Sequence, residues 1–286
     1  MSSPLELFPR TMVGGVSMPR MIIGTNWFLG GSHRTHAHDM HIVQHVKNRE
    51  HLAGTIETFM RNGVNAIIGV LSTESVLREA ICDAEDCTGT KCIRIDIPIL
   101  NVADTDEARS EAGHQLDWIA KCGADFCMPL HCTAEELVDK GTRRIRRLAD
   151  YTKMIRDRGM LPGLSAHMPE IVTYADAQDA DVEMYIQIYN CMGFLMQVEV
   201  EGVHRVIQSA KKPVLTIKPM AAGRVTPFVG LNFVWATIRD CDMVAVGTMS
   251  SGEAEECIEI SRAALERRVP ELERRSTQSK GTILTS

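Results

Sequence analysis

The strongest constraint on the fold is a strand-then-helix alternation that runs through nearly the whole chain. Eight short apolar or β-branched runs occupy 20–25, 65–71, 92–100, 125–131, 160–165, 183–190, 214–219 and 243–247. Segments of helical pattern fall at 49–62, 75–84, 106–121, 142–158, 169–177, 203–211, 227–239 and 252–268. Several of these stop at a glycine just before the next run, as at Gly63, Gly123 and Gly159, which predicts left-handed C-caps. Eight such units with short connections predict a closed parallel barrel, a (β/α)8 TIM barrel of the α/β class, over an open sheet. Gly14-Gly15 between Val13 and Val16 predicts an N-terminal β-hairpin that caps the barrel bottom. The expected single domain covers 1–273, followed by a polar tail at 274–286.

Alternation within the strands assigns side chains to two faces. Ile93, Ile95, Ile97 and Ile99 share one face, expected to meet the outer helices, which turns Arg94 and Asp96 into the barrel. The same rule sends Glu183, Tyr185, Gln187 and Tyr189 inward, together with Thr216 and Lys218.

Composition narrows the function classes. The chain has 286 residues, 44% of them hydrophobic, and a net charge of −6, which argues against nucleic acid as the main partner. No apolar run approaches the ~20 residues of a membrane span, and the N-terminus lacks a signal-peptide pattern. Nine scattered cysteines with no CxxC pair argue against a disulfide framework and for a reducing cytoplasm. The expected partner is a small-molecule substrate, with self-association into a homo-oligomer left open.

The runs at 214–219 and 243–247 end in small, polar and glycine-bearing loops, where barrels of this kind bind anions. Gly247, Thr248, Ser250 and Ser251 are the candidate anion-binding residues; Ser250 with Glu253 also fits a helix capping box. The first loop is the most unusual in composition. Six of the ten histidines lie between His33 and His51. His33, His36 and His38, with Cys132 from a neighbouring loop, are candidate ligands of a divalent metal. The competing reading is that several of these histidines are simply solvated. Asn26, Trp27 and His33 bring amide, aromatic and imidazole groups to one loop, a mixture that suits a polyhydroxylated substrate. Asn101, Tyr189, Asn190 and Arg224 complete the candidate substrate contacts. His131 and His167 end strands on the same rim and are candidate acid/base groups. Lys218, at the end of the seventh strand, reads either as a carbonyl-binding amine or as a structural partner of an internal acid.

In order and spacing the chain resembles the aldo-keto reductase superfamily. The resemblance is carried by the hairpin, 63–67, 125–131, Gly163 to Glu170, Tyr189-Asn190, Lys218-Pro219 with Gly223, and 247–253. It implies the barrel, and in ordinary members a nicotinamide cofactor beside an Asp, Tyr, Lys and His tetrad. The second strand here ends in Val70-Leu71-Ser72-Thr73-Glu74 and the third in Leu100-Asn101, so the Asp, Tyr and Lys have no counterparts. Only His131 matches. Glu253, Glu255 and Glu256 after the last strand argue against NAD(P). The leading expectation is a non-reductase enzyme, a lyase, isomerase or hydrolase, acting on a small carbonyl- or hydroxyl-rich, carbohydrate-like substrate. The alternatives are a surviving NAD(P)-dependent oxidoreductase and a catalytically inactive binding or regulatory barrel.

Overall fold

The computed structural model describes residues 7–272. The tail expected at 274–286 lies outside the described residues.

Arg10–Val13 and Val16–Pro19 form the predicted antiparallel hairpin, turning at Gly14 and Gly15, both at positive φ. The barrel strands then follow in sequence order as Met21–Gly24, Ala66–Gly69, Ile93–Asp96 and Phe126–Cys127. The fifth is broken into Leu161–Pro162 and Leu164–Ala166 at Gly163. Tyr185–Ile188, Val214–Ile217 and Met243–Val246 complete the set. All neighbouring strands run parallel. The first pairs with both the second (Ile23 with Ile67) and the eighth (Ile22 with Ala245). The fifth pairs through its first half with the fourth and through its second half with the sixth, so the ring closes.

The helices obey ordinary end rules. Asp106–Lys121 starts at Thr105, whose hydroxyl accepts the Ala108 N–H at 3.1 Å; acids fill its first turn and Lys121 its last. Gly63, Gly123 and Gly159 all have positive φ, as their helix-end positions predict. One predicted helix is shortened. Residues 142–147 instead contribute Arg144–Ile145 to a small antiparallel pair with Val138–Asp139, and the helix is Leu148–Arg156.

The core has two layers, and they reverse the expected strand faces. One cluster holds Ile22, Ile68, Ile95, Phe126, Met128, Met184, Ile186, Leu215 and Met243, with Val13 and Met18 of the hairpin. It draws on strands around the ring and on the hairpin beneath, and on no helix, so it fills the barrel interior. The other cluster joins the outward strand residues to the helices. Arg94 therefore points outward, pairing with Glu85 of Ser75–Thr88 at 2.9 Å. Asp96 accepts the Ser72 N–H at 2.7 Å. Tyr185 points out to Asp176 at 2.6 Å, and Tyr189 packs among the outer helices. The physical reason is that the narrow interior offers no solvent and few partners, whereas helix side chains and turns satisfy outward polar groups. Among the described residues no helix is long and apolar enough to cross a membrane.

Candidate active site

A cavity of about 710 Å³ opens at the carboxyl ends of the strands. Its floor is the top of the interior core: Ile68, Ile97, Ile186, Ile217 and Ala245. Polar groups gather above that floor.

Lys218 is central. It follows Val214–Ile217 directly and takes φ +60°, which breaks strand alternation and swings its side chain into the cavity. Its Nζ lies 3.2 Å from His33 Nε2. Burial holds the amine below the ordinary lysine range, and among the described residues no carboxylate pairs with it. The internal acid expected as its structural partner is thus not beside it.

Three imidazoles, His33, His131 and His167, line the same cavity as this amine. His131 opens the helix His131–Glu136, and its ring stacks on that of His167, centroids 3.6 Å apart and planes 14° from parallel. Burial, then the charges of His131, Lys218 and His33, push His167 down to about 3. Burial also lowers His131, with Lys218 acting in the same direction and Glu135 against it. His33 is lowered chiefly by desolvation and then by Lys218. These shifts all favour the neutral ring, the form that can take a proton. Glu135, one helical turn after His131, accepts the backbone N–H of His167 at 3.0 Å and ties the two loops together.

The first loop folds over the mouth. Trp27 bridges it: its ring lies 3.4 Å from the place a Cβ would take at Gly223, and 3.8 Å from that at Gly247. Asn26 Nδ2 lies 3.5 Å from His33 Nε2. His131, His167, Lys218, Asn26, Trp27, His33, Gly247 and Thr248 thus line one cavity.

Other candidates are placed elsewhere. Asn101 is exposed and donates to Glu111 at 2.8 Å, outside the cavity. Tyr189 faces outward to Thr237 at 3.1 Å and His204 at 3.3 Å. Asn190 is fully buried, its amide holding the turn at Met192 and Phe194. Arg224 sits at the rim, donating to the carbonyls of His33 and Ala221 while stacking on Phe194 at 4.1 Å. None of these four is in the cavity lining. Sequence alternation missed this because Tyr189 is on the outward face and the Asn190 side chain turns back onto its own loop.

The metal set is not assembled. His36 and Cys132 are exposed, and His38 packs edge-on against Trp27. Among the described residues no three His, Cys, Asp or Glu side chains are arranged to hold a metal ion. The last loop forms the capping box. Ser250 accepts the Glu253 N–H at 3.3 Å, and Glu253 accepts the Met249 N–H at 2.7 Å. Glu253's own carboxylate thus lies at the start of Ser251–Glu266.

No family model and no curated protein matches the sequence. Solved structures do match in fold. A candidate aldo-keto reductase from Pseudomonas aeruginosa aligns over 93% of this chain and 100% of its own, with TM-score 0.65 and 12% identity. An aldo/keto reductase from Klebsiella pneumoniae, solved with NADP and acetate, covers 94% and 98% at TM-score 0.58 and 13% identity. An aldose reductase from Giardia lamblia covers 88% and 94% at TM-score 0.51 and 14% identity. The chain therefore carries an aldo-keto reductase-like (β/α)8 barrel.

Proposed function

We propose that this chain is a lyase or isomerase that binds a small, hydroxyl-bearing carbonyl compound through Lys218, with His131 and His167 moving protons. The observation that carries this reading is an amine half-buried in a largely apolar cavity, without a carboxylate partner and 3.2 Å from His33, in a lining that also holds His131 and His167. Burial favours the unprotonated amine, which is the nucleophilic form. Its Nζ adds to the carbonyl carbon. Loss of the carbonyl oxygen as water, with one proton taken from solvent, gives an iminium ion. That cation draws in the electron pair of an adjacent C–H or C–C bond. When a C–H bond breaks, His131 or His167 accepts the proton and an enamine remains. Return of the proton and of water restores the carbonyl and the free lysine. Asn26 and His33 are suited to hold hydroxyl groups, and Trp27 to cover the bound molecule. The neighbours named above are enzymes, and one is named for its action on an aldose, which fits a carbonyl site.

The test is deuterium exchange followed by proton NMR. Hydroxyacetone, glycolaldehyde and pyruvate are incubated with the protein in deuterium oxide. The expected result is enzyme-dependent loss of the α-proton signal with at least one of them, abolished in Lys218→Met. Exchange that proceeds equally in Lys218→Met would contradict the reading.

A further inference from the structure

We propose that the substrate carries a carboxylate or phosphate beside its carbonyl, and that Arg34 binds that anionic group while Lys218 faces the carbonyl. The inference rests on the reading of Lys218 above and adds the charge class of the substrate.

Arg34 is exposed at the edge of the cavity it lines, and its guanidinium has no hydrogen bond or ion pair among the described residues; only its backbone N–H is engaged, with Ser32 Oγ at 3.2 Å. The contrast with Arg224 is informative. That neighbour uses its guanidinium to join two loops, donating to His33 and Ala221 and stacking on Phe194. Arg34 ties nothing together. Its Nη1 lies 3.6 Å from the place a Cβ would take at Gly223, and the Trp27 ring lies 3.4 Å from the same point. Bare backbone at Gly223 thus leaves a notch flanked by a guanidinium and an indole.

Charge supports an anionic occupant. Arg34, exposed at the cavity edge, is its permanently cationic side chain and has no counter-ion among the described residues. The carboxylates at the cavity are Glu253 and Glu256, both on Ser251–Glu266. Glu253 is engaged by the Met249 N–H, and Glu256 is exposed. A planar guanidinium with free donors over a hydrophobic wall matches the oxygens of a carboxylate or phosphate in paired hydrogen bonds. Hydroxyls alone would leave the Arg34 charge without a counter-ion.

The experiment titrates inorganic phosphate and, separately, acetate into the wild-type protein, Arg34→Ala, Arg34→Lys and Lys218→Met, read by calorimetry and tryptophan fluorescence. At least one anion is expected to bind the wild type and Lys218→Met. Affinity should fall about 10- to 100-fold in Arg34→Ala and be partly restored in Arg34→Lys. Preference for phosphate assigns a phosphorylated substrate, and preference for acetate a carboxylic one. Absence of binding by both anions, or equal binding in Arg34→Ala, overturns the proposal. Since Arg34 has no partner to lose, its variants should melt with the wild type. A second arm compares borohydride trapping of pyruvate and neutral hydroxyacetone. The anionic compound should label the wild type faster, and Arg34→Ala should lose that preference. If Lys218 forms no imine, trapping fails with both compounds while anion binding persists. If Arg34 is not the ligand, trapping proceeds without preference.

Discussion

His131 and His167 lie face to face, ring centroids 3.6 Å apart and planes 14° from parallel, although they belong to the loops after different barrel strands. Two imidazolium ions at that spacing would repel, so the pair holds at most one added proton near neutral pH. That suits a site that accepts one proton from a substrate and returns it. His167→Asn should slow the α-proton exchange by about 10²- to 10⁴-fold, with a smaller effect on substrate affinity. Initial-rate measurements over substrate concentration check this, and an unchanged maximal rate would remove His167 from the chemistry.

Acid stability should report the same pair. His167 is held at about 3 in the folded chain, against an ordinary value of 6.5. Between those values the unfolded chain binds a proton that the folded chain refuses. Stability contributed by neutral His167 is therefore complete above 6.5 and lost as pH falls toward 3. Chemical denaturation at pH 7.5 and pH 5 should show wild type losing more stability on acidification than His167→Phe.

Asp96 should act with the opposite sign. Burial pushes its carboxyl up to about 6, and its Oδ1 is buried without a hydrogen-bond partner. The folded chain holds this proton between 3.8 and about 6, where the unfolded chain has released it. Asp96 therefore weakens the fold as pH rises through that window. Asp96→Asn keeps an acceptor for the Ser72 N–H and removes the charge. Relative to wild type it should gain stability between pH 5 and pH 7.5, measured by the shift in denaturation midpoint.

Gly230 couples an outer helix to the active loop. A Cβ there would stand 2.6 Å from the Pro219 carbonyl oxygen, in the residue after Lys218. Gly230→Ala must push Pro227–Thr237 away or displace the lysine loop. The expected cost is about 1–3 kcal/mol of stability, with a loss of Lys218-dependent exchange in the folded protein. Unaltered melting and exchange would show that the contact relaxes freely.

The barrel was legible because period and punctuation repeat. Each expected strand overlaps an observed one, and Gly63, Gly123 and Gly159 mark helix ends as composition predicts. The facing of the strands was not legible. Alternation separates Ile95 from Arg94 but does not say which is inside; Arg94 is satisfied by Glu85, a helix residue nine positions earlier. The short helix His131–Glu136 was hidden because six residues carry little periodicity. At the site, His131, His167 and Lys218 were legible from their places after strands. Arg34 was not singled out because an arginine among histidines carries no motif. The positive φ at Lys218, which turns it into the cavity, leaves no mark in an Ile-Lys-Pro triplet.

The central claim is that Lys218 is the carbonyl-binding amine, and intact-mass analysis after borohydride reduction tests it most directly. Incubation with pyruvate or hydroxyacetone followed by reduction should add one substrate, joined as a secondary amine, per chain. Peptide mapping should place it on Lys218, and Lys218→Met should stay unlabelled. An unmodified wild-type chain with every carbonyl tried, or a label that persists in Lys218→Met, would contradict the account.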